Sequence, residues 1–93
     1  MSYKIKIIYK KLGRENAYGI AHSDGEVWIE ERLKNKPRKL MEIILHECLH
    51  VLNPEDDEDM IIAKSVALTK ILWKQGYRLI LEQDDTPMQD GSK

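Results

Sequence analysis

Alternation of hydrophobic and charged residues marks the N-terminal third of the chain as strands. Over residues 3–9 apolar residues alternate with lysines, a pattern typical of a half-buried β-strand. The apolar positions of that pattern are Ile5, Ile7 and Tyr9. Two further short runs, residues 17–21 and 26–30, flank Asp24-Gly25, a dipeptide that favours a tight turn. The pattern therefore predicts a first strand followed by a β-hairpin.

In the middle of the chain the hydrophobic period changes from two to about 3.6, which predicts two helices. The first covers residues 38–52, and the second covers residues 54–75, with Asn53 as its N-cap and Gly76 as its exit. Residues 77–81 could form a last strand or a short helical extension. Strands followed by helices predict an α+β fold with a small antiparallel or mixed sheet.

Length and composition predict one domain. We place it at residues 1–82 and expect the polar residues 83–93 to form a flexible tail. The net charge of −1 gives no reason to expect nucleic acid or a membrane as the main partner, and we interpret the basic residues within 34–39 as a solvated loop and helix start. Cys48 is the single cysteine, and no stretch has the ~18 apolar residues of a membrane span. A cytoplasmic protein is expected.

The first predicted helix contains His46-Glu47-Cys48-Leu49-His50, which has the form H-E-x-x-H. Residues four apart lie one helical turn apart on nearly the same face, so both imidazoles can reach one ion. Glu47 can take a proton from a metal-bound water, whose pKa zinc lowers toward ~7. The spacing therefore predicts Zn²⁺ bound by His46 and His50, with Glu47 as general base. Ordinary surface or interior histidines are the alternative, although chance gives this pattern with a probability on the order of a few in a thousand.

A catalytic zinc needs three protein ligands and a water. The remaining histidine, His22, lies at the predicted hairpin turn, whereas a run of acidic residues follows the motif. These acids are Glu55, Asp56, Asp57, Glu58 and Asp59. Because Asn53-Pro54 turns the chain back toward the motif, we select Glu58 as the third ligand, with Asp57 and Glu55 as alternatives. Each of these acids could instead serve the helix dipole.

The segment LHECLHVLNPEDDE and the apolar helix after it resemble the zincin metallopeptidases. The likeness is to the small single-domain members of bacteriophages and bacteria, near the SprT-like and minimal gluzincin groups, and it covers about residues 18–76. It implies His46, His50 and Glu58 as ligands, Glu47 as the base, and a substrate bound as an extra strand along the hairpin. A hairpin that only closes the core is the alternative. The chain lacks the third histidine of the metzincins, and its spacing from His50 to Glu58 is short for a gluzincin.

The leading hypothesis is a zinc-dependent metallopeptidase-like hydrolase with a polypeptide substrate, in which Glu47 activates the attacking water. The second is a non-catalytic, zinc-stabilised interaction or regulatory domain, such as a phage accessory protein, with a protein partner. The third is a soluble α+β domain with a coincidental motif. Tyr18, His22 and Tyr77 are possible oxyanion donors, and the spacing selects none of them.

Overall fold

A three-stranded mixed sheet and two helices make up the protein. The computed structural model describes residues 4–15 and 17–80. The elements are β1 (Lys6–Lys10), β2 (Gly19–Ala21), β3 (Glu26–Glu30), α1 (Pro37–Leu52) and α2 (Glu58–Lys74). The strand order is β1-β3-β2, with β1 parallel and β2 antiparallel to β3. The predicted α+β class, with an N-terminal strand, a hairpin and two helices, is confirmed.

The core lies between β3 and α1. Val27 and Ile29, alternate residues of the central strand, are fully buried, and Leu33 and Leu40 complete the buried cluster. Half-buried apolar side chains surround it; they are Ile5, Tyr9, Ala21, Ile43, Ile44 and Val51. α1 therefore packs directly on the sheet, and α2 packs on α1. The position of α1 relative to β2 is thus fixed by the core.

The turn between β2 and β3 forms as Asp24-Gly25 predicts. The Gly25 N–H donates to the His22 carbonyl at 3.0 Å, and the His22 N–H donates to the Glu26 carbonyl at 2.8 Å. Gly25 has φ +96°, a conformation that L side chains rarely adopt, and an added Cβ would collide with the Lys4 carbonyl oxygen. This three-residue loop fixes the register of the hairpin.

Glu30 is a buried carboxylate that ties the chain after β1 to the end of β3. One oxygen accepts from the buried Leu12 N–H at 2.8 Å, and the other accepts from the N–H and the Nε of Arg32, both at 3.1 Å. The hydrogen bond from Leu12, followed by that from the Arg32 backbone, lowers the pKa of Glu30 to about 2. The negative charge at residue 30 therefore stabilises the folded state.

This depressed pKa predicts acid sensitivity. The ionised Glu30 carboxylate contributes to the free energy of unfolding above its ordinary pKa near 4.5, and this contribution is lost as the pH falls from there toward about 2. We expect the thermal midpoint of metal-free wild type to fall over this range by more than that of Glu30→Gln, measured by circular dichroism. Glu31→Gln, which alters the neighbouring acid, should keep the wild-type profile. Equal acid sensitivity of Glu30→Gln and wild type would contradict the prediction.

The predicted start of the second helix was wrong by four residues. The Asn53 N–H donates to the Leu49 carbonyl and closes α1, so Asn53 does not cap the next helix. Asp57 is the N-cap of α2, and its side chain accepts from the Met60 N–H at 2.9 Å. Residues 54–56 form the turn. Glu58 is consequently the first residue of α2.

The other predicted boundaries are close to those observed. β1 begins at Lys6 and ends at Lys10, whereas the prediction covered residues 3–9, of which residue 3 lies outside the described part. α2 ends before Gly76, which has φ +93° as its predicted role requires. Residues 77–80 form neither strand nor helix. Residue 81 and the predicted tail, residues 83–93, lie outside the described residues.

Neither α1 nor α2, the two α-helices of the described residues, combines the length and the apolar character that crossing a membrane requires.

Candidate metal centre

The two histidines of the motif and Glu58 lie together where α1 ends and α2 begins. His46 and His50, one turn apart on α1, have their Nε2 atoms 3.2 Å apart. The Glu58 carboxylate reaches both, with Oε2 at 3.2 Å from His46 Nε2 and Oε1 at 3.0 Å from His50 Nε2. Among the described residues these three form a group able to hold a metal ion, with their donor atoms within 4.8 Å of one another.

The chemistry and spacing of this group fit zinc. Two imidazoles and one carboxylate are the ligand set of one class of catalytic zinc sites. Bonds of about 2.0–2.1 Å in tetrahedral geometry place neighbouring donors about 3.3 Å apart, close to the 3.0–3.2 Å between the Nε2 atoms and the carboxylate oxygens. The Glu58 side chain is 59% exposed and that of His50 is 31% exposed, so the group is open to solvent. A zinc ion held there could keep a fourth position for water.

The other acids considered as third ligands have different positions. Asp57 directs its carboxylate to the Met60 N–H as the cap of α2. Glu55 is exposed in the turn, and Asp56 pairs with Lys64. The turn that ends α1 and the cap that begins α2 together place Glu58, rather than its neighbours, opposite the imidazoles.

Glu47 lies on the buried side of the cluster. Only 9% of this residue is exposed to solvent. Burial raises the pKa of Glu47, while the nearby His46 and His50 lower it and Glu58 raises it. These electrostatic effects place Glu47 beside the three candidate ligands. Burial of a carboxylate costs stability, so Glu47 is a candidate for a role outside folding.

Gly19 is the functional residue that the sequence interpretation missed. A Cβ on Gly19 would lie 2.8 Å from Glu47 Cγ, 3.1 Å from Glu47 Oε2 and 2.9 Å from Ile43 Cγ2. The backbone of β2 therefore contacts the Glu47 side chain directly, and only glycine permits this approach. The signal available in the sequence was a glycine inside a short strand, which often marks a close contact of the backbone with another group.

β2 presents a free edge at this contact, since the sheet ends there. The Tyr18 carbonyl accepts from the Glu30 N–H, and the His22 N–H donates to the Glu26 carbonyl. Hydrogen-bonded pairs alternate along antiparallel strands, so the backbone groups of Tyr18, Ile20 and His22 face β3. The N–H and C=O of Gly19 and Ala21 therefore point away from β3, at the edge of the strand whose face at Gly19 contacts Glu47.

This contact predicts the effect of a methyl group at residue 19. In Gly19→Ala the new Cβ collides with Glu47 and Ile43, neither of which is a candidate metal ligand. We expect an unchanged zinc affinity by calorimetric titration and, for the hydrolysis that the sequence predicts, a kcat about 100-fold lower, the usual effect of a displacement near 1 Å. Gly13→Ala is the matched control, because a Cβ at Gly13 meets nothing within 4 Å. Equal kcat for Gly19→Ala and wild type would show that this contact does not position Glu47.

Among the described residues, none of the three possible oxyanion donors forms a hydrogen bond or ion pair with the His46–His50–Glu58 cluster. Tyr18 is 54% exposed and lies near Lys39, with Lys39 Nζ 5.5 Å from its ring centre. His22 packs against Trp28 at a ring separation of 4.3 Å, on the face of β2 opposite to Gly19. Tyr77 is 63% exposed and follows α2. The oxyanion donor therefore stays unassigned.

Cys48 is half-buried between the two histidines of α1. Burial raises the pKa of the Cys48 thiol, and the charge of Glu47 raises it further. Both effects disfavour the thiolate, in keeping with a packing role and not a nucleophilic one.

Comparison of the chain with protein-family models, with curated proteins and with solved structures gives no match. The zincin resemblance therefore stays a prediction, and function must be inferred from the chemistry of the site.

Proposed function

We propose that this protein is a zinc-dependent hydrolase of peptide bonds. The observation that carries the proposal is the placement of Glu47, a largely buried glutamate, beside both the His46–His50–Glu58 cluster and the edge strand β2. A purely structural metal site needs neither this carboxylate nor a free strand edge.

Each residue has a separate task in this proposal. His46, His50 and Glu58 hold the ion, and zinc at such a site supplies Lewis-acid chemistry, polarising a carbonyl and making water more acidic. Glu47 accepts the proton of the attacking water and returns it to the leaving amine. Its burial, which raises its pKa, makes it a stronger base than an exposed glutamate.

The free edge of β2 supports a peptide as the substrate. A chain in extended conformation can pair with the outward N–H and C=O of Gly19 and Ala21 as an additional strand. Such pairing holds the substrate by its backbone and brings a peptide bond close to Glu47, because Gly19 contacts that side chain. The absence of a side chain at Gly19 keeps this approach open.

A non-catalytic zinc domain is the second candidate, favoured by the way the cluster joins the end of α1 to the start of α2. An ion there would link two helices that already pack together, which is how structural zinc sites stabilise small domains. The two candidates differ in what they require of Glu47, since only hydrolysis needs a base.

The test is a cleavage assay with zinc-loaded protein and a mixture of unstructured peptides, in which new termini are identified by mass spectrometry. We expect cleavage that stops when a chelator removes the ion and resumes when zinc is returned. Stoichiometric zinc binding with no new termini would favour the non-catalytic domain. Cleavage that persists without bound metal would contradict both candidates.

A further inference from the structure

Five basic residues cluster around the start of α1. They are Arg32, Lys34, Lys36, Arg38 and Lys39. All five are exposed, and the chain from residue 32 to residue 39 contains no acid. The net charge of the protein is only −1, so this positive charge is segregated, with the acidic residues 55–59 beyond the opposite end of the same helix.

Three of these cations face the end of β2. Lys39 Nζ lies 5.5 Å from the ring centre of Tyr18, the residue before Gly19. Arg32 and Lys36 line an open depression of about 350 Å³ with Tyr18 and with Glu30, whose charge the Arg32 guanidinium already pairs. The remaining two point elsewhere: Lys34 lies over the Tyr9 ring at 4.4 Å and Arg38 lies 5.9 Å from the Trp73 ring centre. The five therefore divide into a group beside the β2 edge and a group away from it.

Two of the three cations beside the β2 edge, Lys36 and Lys39, lack acidic partners. Among the described residues, no carboxylate lies within 4.0 Å of the ammonium groups of Lys36 and Lys39, and Arg32 pairs only with Glu30, through its Nε. The first turn of α1 contains no acid and has no side-chain cap. Positive charge at a helix N-terminus opposes the helix dipole, so this arrangement disfavours the helix unless an anion is nearby.

We infer that Arg32, Lys36 and Lys39, with Tyr18, form a subsite for an acidic side chain of a peptide paired along β2. This inference rests on the proposed function, because it identifies the kind of peptide that the same site takes.

Spacing along α1 sets where the acidic residue falls in the substrate. Lys39, Ile43 and Glu47 follow one another at intervals of one turn on the face beside β2. At a rise of 1.5 Å per residue, Lys39 lies about 12 Å and Lys36 about 16 Å from Glu47 along the axis. An extended peptide rises about 3.3 Å per residue. For a peptide that runs parallel to α1, the acidic side chain is therefore expected roughly three to five residues from the cleaved bond, on one side of it.

A short acidic peptide fits this surface better than a nucleic acid. The three cations cover one end of the site, whereas the acidic residues 55–59 lie at the other end and would repel a phosphate backbone that crossed the cluster. A peptide with a single acidic stretch meets the cations at one end and the backbone edge of β2 at the other.

The test measures peptide binding and cleavage separately. Zinc-loaded Glu47→Gln is applied to an array of random-sequence peptides, and the zinc-loaded wild type is then given the bound sequences as substrates. We expect the bound peptides to be enriched in Asp and Glu. The double variant Lys36→Glu/Lys39→Glu, placed in the Glu47→Gln background, should bind them roughly tenfold more weakly. Lys34→Glu is the matched control and should bind them like the parent.

The outcomes distinguish the subsite from the catalytic proposal. An acidic preference that disappears with Lys36 and Lys39, together with no cleavage by wild type, would support the subsite and contradict the proposed function. Cleavage without an acidic preference would support the function and overturn the subsite. An acidic preference that survives the charge reversal would also overturn the subsite. Binding of a random single-stranded oligonucleotide more tightly than the acidic peptides would overturn it as well. The two glutamates of the charge-reversal variant are favourable at a helix N-terminus, so this variant is expected to keep α1 folded. The neutral variant Lys36→Gln/Lys39→Gln should bind the acidic peptides with an affinity between those of the parent and the charge-reversal variant.

Discussion

Replacement of Glu47 by glutamine is expected to remove peptide cleavage while zinc binding persists. The amide cannot accept the proton of the attacking water, and loss of a general base typically lowers kcat by about 10²–10⁴-fold. The candidate ligands His46, His50 and Glu58 are untouched, so the zinc content of the purified variant should equal that of wild type. Peptide turnover by mass spectrometry and metal content by elemental analysis check the two halves of this expectation.

The same substitution is expected to stabilise the metal-free fold. Burial raises the pKa of Glu47, so at neutral pH its charged form is less favourable in the folded than in the unfolded state. Glutamine removes this penalty, and the thermal midpoint in excess chelator should rise. Glu42→Gln, an earlier residue of α1, is the control that should change neither activity nor midpoint. A fall in the midpoint of Glu47→Gln would indicate that Glu47 serves folding and not chemistry.

Zinc is expected to raise the free energy of unfolding through Glu58 and the two histidines. A ligand that binds only the folded state contributes about 4 kcal/mol at a free concentration 1,000 times its Kd. Glu58→Ala removes one of three donors. Changes to groups around a metal site already cost about 10–100-fold in affinity, so loss of a ligand should cost at least as much. The measurement is the zinc-induced shift of the thermal midpoint, together with calorimetric titration.

Glu55→Ala is the matched control for this experiment. It removes a carboxylate from the neighbouring turn, and we expect its zinc-induced shift to equal that of wild type. The shift, and not the midpoint itself, is the quantity to compare, because Glu58 also lies at the start of α2 and favours the helix by about 0.3–1 kcal/mol through the dipole. Loss of zinc binding in Glu55→Ala with retention in Glu58→Ala would exchange the roles of the two acids.

The sequence was informative where the chemistry is local. The four-residue spacing of His46 and His50 predicts that their side chains lie close together on one face of a helix. Asn53-Pro54 predicts that the chain turns back after α1 and places an acidic residue near them. The start of α2 was predicted wrongly because both Asn53 and Asp57 are residues that cap helices well. In the structure the Asn53 N–H donates to the Leu49 carbonyl and ends α1, whereas the Asp57 side chain accepts from the Met60 N–H and caps α2. Both hydrogen bonds depend on the path of the turn between the two helices.

Features that depend on distant parts of the chain could not be predicted from pattern. The parallel pairing of β1 with β3 places the first strand away from the site, whereas the alternation alone did not specify an order. Nothing in the strand pattern singles out Glu30, yet Leu12 donates to it across the end of the sheet. Gly19 is meaningful only because Glu47, on a helix far along the chain, packs against it.

The closeness of the three candidate ligands along the chain has a consequence for where an ion would add rigidity. All of them lie within residues 46–58, so closing the loop between them costs little conformational entropy, and the unbound ligands already face one another at a high effective concentration. The core of β3 and the first half of α1 stands apart from this loop. Loss of the ion should therefore increase local opening at the junction of the two helices, with the sheet still protected against hydrogen exchange. The metal would govern the integrity of the end of the molecule that carries the candidate site more than the survival of the fold.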